Sequence, residues 1–125
     1  MSYLALLQEF DLRPKHSLGQ VFLIDDDVIE RILSILDLKP GDRVIEFGAG
    51  PGFITKRLAE LTDEVMAVEI DHKFRPLHEK YFSTLSARPE ILYEDALKVE
   101  FGTYARDLRG RLIVFGNLPY YLTTD

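Results

Sequence analysis

The segment RVIEFGAGPGFITKRLAEL, residues 43–61, constrains the fold more tightly than any other part of the chain. RVIEFG reads as a buried strand, GAGPG as a turn and FITKRLAEL as a helix. Glycines at 48, 50 and 52 let the backbone turn sharply between strand and helix, and let a ligand approach without meeting a Cβ. A strand that passes directly into a helix in this way is the first half of a βαβ unit.

The same alternation recurs on both sides of that segment. Before it, DDDVIERILSILDL places Val28, Ile32, Ile35 and Leu36 at helical spacing, with Asp27 and Glu30 as a capping box and Lys39-Pro40-Gly41 as the stop. After it, EVMAVEID is a second strand, and His72 to about Ala87 is a mostly helical span with Pro76 in its first turn. EILYED is a short third strand. An irregular or helical passage around Phe101 to Leu108 leads to a fourth strand, RLIVFGN, rich in apolar and β-branched residues. Strands separated by helices imply parallel pairing with right-handed crossovers, hence a doubly wound α/β layer structure.

At 125 residues the chain holds one domain at most, and 46% hydrophobic with 29% charged residues is the balance of an ordinary folded protein. The absence of cysteine excludes a disulfide framework and any thiolate metal site, and fits a reducing cytoplasm. No run of eighteen apolar residues and no signal-like start point to a membrane or export. A net charge of −6 argues against coating nucleic acid by charge alone, although Arg13, Lys15 and His16 form a small basic cluster that also reads as solvated surface.

The chemistry-bearing residues fall at successive strand ends. A dinucleotide fingerprint, G-x-G-x-x-G, needs a small residue at position 53, where this chain has Phe53; the spacing at Gly48, Gly50 and Gly52 matches instead the G-x-G-x-G of enzymes that use S-adenosylmethionine. Nineteen residues beyond Gly50, Glu69 ends the second strand, where an acidic side chain accepts hydrogen bonds from ribose hydroxyls. Asp95 ends the third strand and reads either as an acceptor for an adenine amine or as a helix N-cap. The fourth strand runs into Asn117-Leu118-Pro119-Tyr120. There an asparagine oxygen and a backbone carbonyl can accept both hydrogens of an adenine N6 amine, proline fixes φ, and Tyr120 offers a face on which an extruded base stacks. The same residue types also make plain turns.

Taken together, GQVFL from Gly19, the glycine turn, VEID, EDA and FGNLPYYLTT resemble the ribosomal RNA adenine N6-dimethyltransferase family, across nearly the whole chain. The resemblance implies a Rossmann-like S-adenosylmethionine-dependent methyltransferase fold without metal. Its cofactor pocket would use Val21, Leu23, Gly48, Gly50, Glu69, Asp95 and Asn117, and its catalytic loop Asn117, Leu118, Pro119 and Tyr120. It implies small-subunit ribosomal RNA as the partner, a flipped adenosine stacked on Tyr120 with Phe22 nearby, and methyl transfer to N6 without a covalent enzyme intermediate. The chain departs from the family in having Val21 where asparagine is usual, and Asp125 where proline commonly follows the two threonines. Family members continue with further strands and a helical C-terminal domain, so residues 1–125 are expected to be the N-terminal part of the catalytic domain, truncated after the fourth strand. The apolar edge of RLIVF is then expected to self-associate or to bind a complementary fragment.

Three other readings compete. A large-subunit methylase of macrolide-resistance type shares the motifs, but Leu118 fits the small-subunit enzymes better. A nicotinamide-dependent oxidoreductase accounts for the glycine turn and Glu69 but not for Phe53 or Asn117–Tyr120. A non-catalytic ribosome-assembly or RNA-binding relative would keep the fold without the reaction.

Overall fold

The computed structural model describes residues 2–12 and 25–116. Four strands make one parallel sheet: β1 (Arg43–Phe47), β2 (Glu64–Val68), β3 (Glu90–Leu92) and β4 (Leu112–Gly116), in the order β3-β2-β1-β4. Central β1 is covered on both faces, which is why Val44, Ile45 and Phe47 are apolar and Glu46 between them is buried. Val44 faces one core with Val65, and Ile45 faces the other with Met66 and Val68.

Helices α1 (Tyr3–Glu9), α2 (Asp26–Leu36), α3 (Phe53–Leu61) and α4 (Arg75–Tyr81) contribute buried residues to the first core. The second face is covered by the β3–β4 connection, through Ala96, Val99, Phe101 and Tyr104. That connection holds two short 3-10 turns, Ala96–Lys98 and Gly102–Ala105, and no α-helix. Its apolar residues are spaced too irregularly, and interrupted too often by Gly102, Asp107 and Gly110, to line one side of a helix.

α2 begins two residues earlier than the expected Asp27–Glu30 capping box: Asp25 is the N-cap and its carboxylate accepts the Asp27 N–H at 2.9 Å. The buried stripe is correspondingly Ile29 and Leu33, flanked by Ile32 and Leu36, whereas Val28 is exposed and Ile35 is 81% exposed. Both sets satisfy the helical repeat. Packing selects the one that leaves Glu30 outside to pair with Arg57 of α3. Asp37 closes the helix in the left-handed region, at φ 47°.

α3 matches its expected span, and Pro76 stands in the first turn of α4. The expected helix to Ala87 stops at Tyr81, and the Ser83 hydroxyl donates to the Lys80 carbonyl at 2.6 Å just beyond it. α1 is an addition to the sequence reading. Its Ser2 cap accepts the Ala5 N–H at 3.0 Å, Leu6 and Leu7 are buried, and Tyr3 stacks on Phe53 at 4.2 Å.

At the amino ends of the strands, Asp42 ties β4 to β1. Its carboxylate accepts the backbone N–H groups of Lys39 and Arg111, both at 2.9 Å, and the Arg111 guanidinium at 2.6 Å. The Arg111 guanidinium and then those two N–H groups hold this carboxyl well below the usual carboxylate range. Among the described residues β4 has a strand partner on one side only, and Val114 is 50% exposed.

Candidate functional site

Strand order sets where a ligand can sit. The chain winds outward from β1 to β2 to β3, then returns to place β4 on the opposite side of β1. The order therefore reverses between β1 and β4, and the carboxyl ends of the strands at such a switch point are where open α/β sheets bind ligands. The glycine turn leaves β1 there, and the register pairs Phe47 with Gly116, so β4 ends beside the start of that turn.

Backbone hydrogen bonds join three of the strand ends. The N–H groups of Gly48 and Ala49 donate to the Val68 carbonyl at 2.8 and 3.1 Å, and the Glu69 N–H donates to the Leu92 carbonyl at 2.9 Å. Gly50 and Gly52 both lie in the left-handed region, at φ 56° and 90°, but for different purposes. A Cβ on Gly52 would stand 2.6 Å from Cζ of Phe82, so that glycine is required by packing. A Cβ on Gly50 would meet nothing within 4 Å, so that position faces open space.

Glu69 is the centre of the arrangement. It is buried at the end of β2; Oε1 accepts the Gly50 N–H at 2.6 Å and Oε2 accepts the Asp71 N–H at 2.8 Å. Burial pushes its carboxyl above the ordinary range, against the pull of those two N–H groups; the Asp71 charge adds to the rise and Lys73 offsets part of it. A carboxylate has about four lone-pair positions. Two are taken by the backbone, which aims the others without removing their capacity.

Asp95 lies half-buried three residues beyond β3, where its carboxylate caps the Ala96–Lys98 turn by accepting the Leu97 N–H at 3.0 Å. The sequence left two roles open for Asp95, and this contact realises the capping one while fixing the side chain at a strand end. Gly48, Gly50, Glu69 and Asp95 are thus brought to one end of the sheet by three strands. Val21, Leu23, Asn117, Leu118, Pro119 and Tyr120, with Phe22 and the Arg13–Lys15–His16 cluster, lie outside the described residues.

Glu46 and His78 are among the buried titratable groups to which the sequence reading assigned no role. Glu46, on β1, accepts the Thr55 hydroxyl of α3, and burial pushes its carboxyl up to about 8, opposed by that hydrogen bond and helped by the Glu69 charge. His78, on α4, is 2% exposed and touches both the Gly50 carbonyl and the Tyr93 hydroxyl. Its signal was a titratable residue at a core position, four residues from both Phe74 and Phe82. Among the described residues no cluster of three or more His, Asp or Glu side chains is placed to hold a metal, and no helix is long and apolar enough to cross a membrane.

Known proteins share this framework. The family described as ribosomal RNA adenine dimethylase matches residues 12–125. A ribosomal RNA small subunit methyltransferase A from Thermotoga neapolitana is 40% identical over 117 residues, covering 94% of this chain and 42% of that protein. Its namesake from Clostridioides difficile is 36% identical over 121 residues, covering 95% of this chain and 42% of that protein. Among solved structures, the 23S rRNA methyltransferase ErmE superposes with a TM-score of 0.66 at 28% identity, over 83% of this chain and 40% of the other. The chain therefore spans about 42% of the length of the curated relatives it matches.

Proposed function

The chain belongs to the ribosomal RNA adenine dimethylase family, and on that premise we propose that it is the cofactor-binding part of an S-adenosylmethionine-dependent enzyme that methylates adenosine N6 in small-subunit ribosomal RNA. The observation that carries the proposal is the Glu69 carboxylate, buried at the end of β2 and pinned to the Gly50 amide at 2.6 Å. Such a carboxylate, beside a glycine with open space in front of it, fits the ribose of an adenosine-containing cofactor. Held by Glu69 and Asp95, S-adenosylmethionine would supply an electrophilic methyl carbon for transfer to adenine N6.

The chain's own residues then divide the work. Glu69 accepts the ribose hydroxyls with the lone pairs its backbone partners leave. Asp95, positioned by its cap, accepts a hydrogen from the adenine amine of the cofactor. Gly48 and Gly50 keep Cβ atoms out of the turn at those two positions, and the family resemblance assigns Val21 and Leu23 to the same cofactor pocket. At the end of β4 the Asn117 oxygen and the Leu118 carbonyl accept the two hydrogens of the target amine, which leaves its lone pair directed outward. Pro119 stiffens this loop and Tyr120 stacks the extruded base, offsetting an unstacking cost of roughly a few kcal/mol. Rate comes mainly from positioning, with Asn117 holding the nucleophile in line. The proposed partner is small-subunit ribosomal RNA and the proposed location the cytoplasm, and the side of β4 that has no strand partner among the described residues is proposed as a pairing edge for further strands or a second copy.

A methyl-transfer assay on unmodified small ribosomal subunits tests the proposal, with the chain alone and with the C-terminal segment of the Thermotoga neapolitana relative. Dimethyladenosine formed by the parent and lost with Asn117→Ala is the expected result. No product from any combination would overturn it.

A further inference from the structure

We infer that His78 is a positioning residue for the cofactor, a neutral imidazole that locks the glycine turn after β1 to the segment after β3. The inference rests on the cofactor reading given above, and it follows from three sets of contacts. Nε2 of His78 lies 2.7 Å from the Gly50 carbonyl oxygen, and Nδ1 lies 2.7 Å from the Tyr93 hydroxyl. A carbonyl only accepts, so Nε2 must carry the proton; Nδ1 of the neutral ring is then the acceptor for the Tyr93 O–H. One tautomer satisfies both partners.

Gly50 is thereby held from both sides of its own backbone. Its N–H donates to Glu69, the proposed ribose ligand, while its carbonyl accepts from His78. Tyr93, at the other side of the imidazole, lies two residues before Asp95, the proposed adenine ligand. His78 is therefore the one described side chain hydrogen-bonded to both the glycine turn and the β3 exit.

The ring is itself held in place. It stacks on Phe82 at 5.3 Å and 13°, on Tyr93 at 5.8 Å and 28°, and on Phe74 at 6.1 Å and 22°. Arg75 covers Tyr93 at 4.5 Å. Gly52, in the same turn, leaves no room for a Cβ against Phe82 and His78, so turn and imidazole pack as one unit. A histidine serving only as filler would need neither hydrogen bond, because leucine has a similar volume and no polar atoms to satisfy.

The test is S-adenosylmethionine affinity, read by calorimetric titration well below the melting temperature, alongside thermal unfolding. His78→Leu should weaken affinity by about tenfold, the value of roughly one buried hydrogen bond. His78→Gln, whose amide can donate to the Gly50 carbonyl, should restore most of the loss. Tyr93→Phe, which keeps the ring stack, is the variant to read if His78→Leu does not fold, and it should also weaken binding. Heteronuclear NMR of the labelled imidazole should show the Nε2–H tautomer in the parent. Equal affinity in parent, Leu and Phe variants, or a proton on Nδ1, would overturn the inference and leave the cofactor reading intact. Absence of binding by the parent would overturn both.

Discussion

Replacing Glu46 by glutamine should make the protein more stable, and increasingly so as pH rises. Glu46 lies on the central strand, 3% exposed, with the Thr55 hydroxyl donating to its Oε1. Burial raises its carboxyl from 4.5 to about 8, so through most of that interval the folded protein keeps a proton that the unfolded chain gives up. A raised folded pKa means stability that is fully present below pH 4.5 and lost as pH climbs through about 8. At about 1.4 kcal/mol per pKa unit, the full span costs at most roughly 5 kcal/mol. Glutamine keeps the acceptor for Thr55 and does not titrate. After allowance for the unmatched amide N–H groups, the variant should gain about 3 kcal/mol over the parent near pH 8 and little near pH 5. Urea unfolding of both proteins at the two pH values measures this directly, provided the transitions are two-state. Parallel pH profiles, or a variant less stable near pH 8, would refute the reasoning that Glu46 is buried as the neutral acid.

Other perturbations probe different parts of the structure. His78 has a folded pKa lowered by burial from 6.5 to about 4, so its contribution is present above pH 6.5 and is lost as pH falls toward 4, by up to about 3 kcal/mol; His78→Gln should flatten this acid limb in denaturant titrations. Gly52→Ala forces a Cβ to 2.6 Å from Phe82 at φ 90° and should lower the melting temperature sharply. Gly50→Ala, at φ 56° with open space ahead, should cost only about 1–2 kcal/mol in unfolding while weakening S-adenosylmethionine binding much more. Val114→Lys charges the exposed apolar edge of β4, and sedimentation should show self-association of the parent reduced in the variant.

The parts of the fold that were legible are those where a local rule and the tertiary structure agree. α3 follows a glycine turn and precedes a polar stop, and its span is readable to the residue. The inner strands were readable because cover on both faces leaves an apolar signature in each, whereas edge strand β3, expected as EILYED, ends at Leu92. α2 was found but faced wrongly: Val28 and Ile35 satisfy the same period as Ile29 and Leu33, and only burial in the core shared with the sheet and the other helices distinguishes them. α1 has just seven residues, too few for periodicity to register, and its stability comes from Leu6, Leu7 and the Tyr3–Phe53 stack. At the site, Gly50 and Glu69 were visible as a turn and a strand-end carboxylate at a known spacing. Their direct hydrogen bond was not, since it depends on how two strand ends are placed. His78 was invisible for a related reason: its partners Gly50 and Tyr93 are 28 and 15 residues away, and no local pattern marks a histidine that reaches both.

The Gly50–Glu69 pair at the ends of β1 and β2 is the proposed seat for the adenosine of S-adenosylmethionine. Calorimetric titration of the parent and of Glu69→Gln with S-adenosylmethionine, with thermal unfolding of both, tests it most directly. The parent should show saturable one-to-one binding and a folded variant at least about tenfold weaker binding, since one ribose acceptor becomes a donor. A parent that does not bind, or a folded Glu69→Gln that binds equally well, would contradict it.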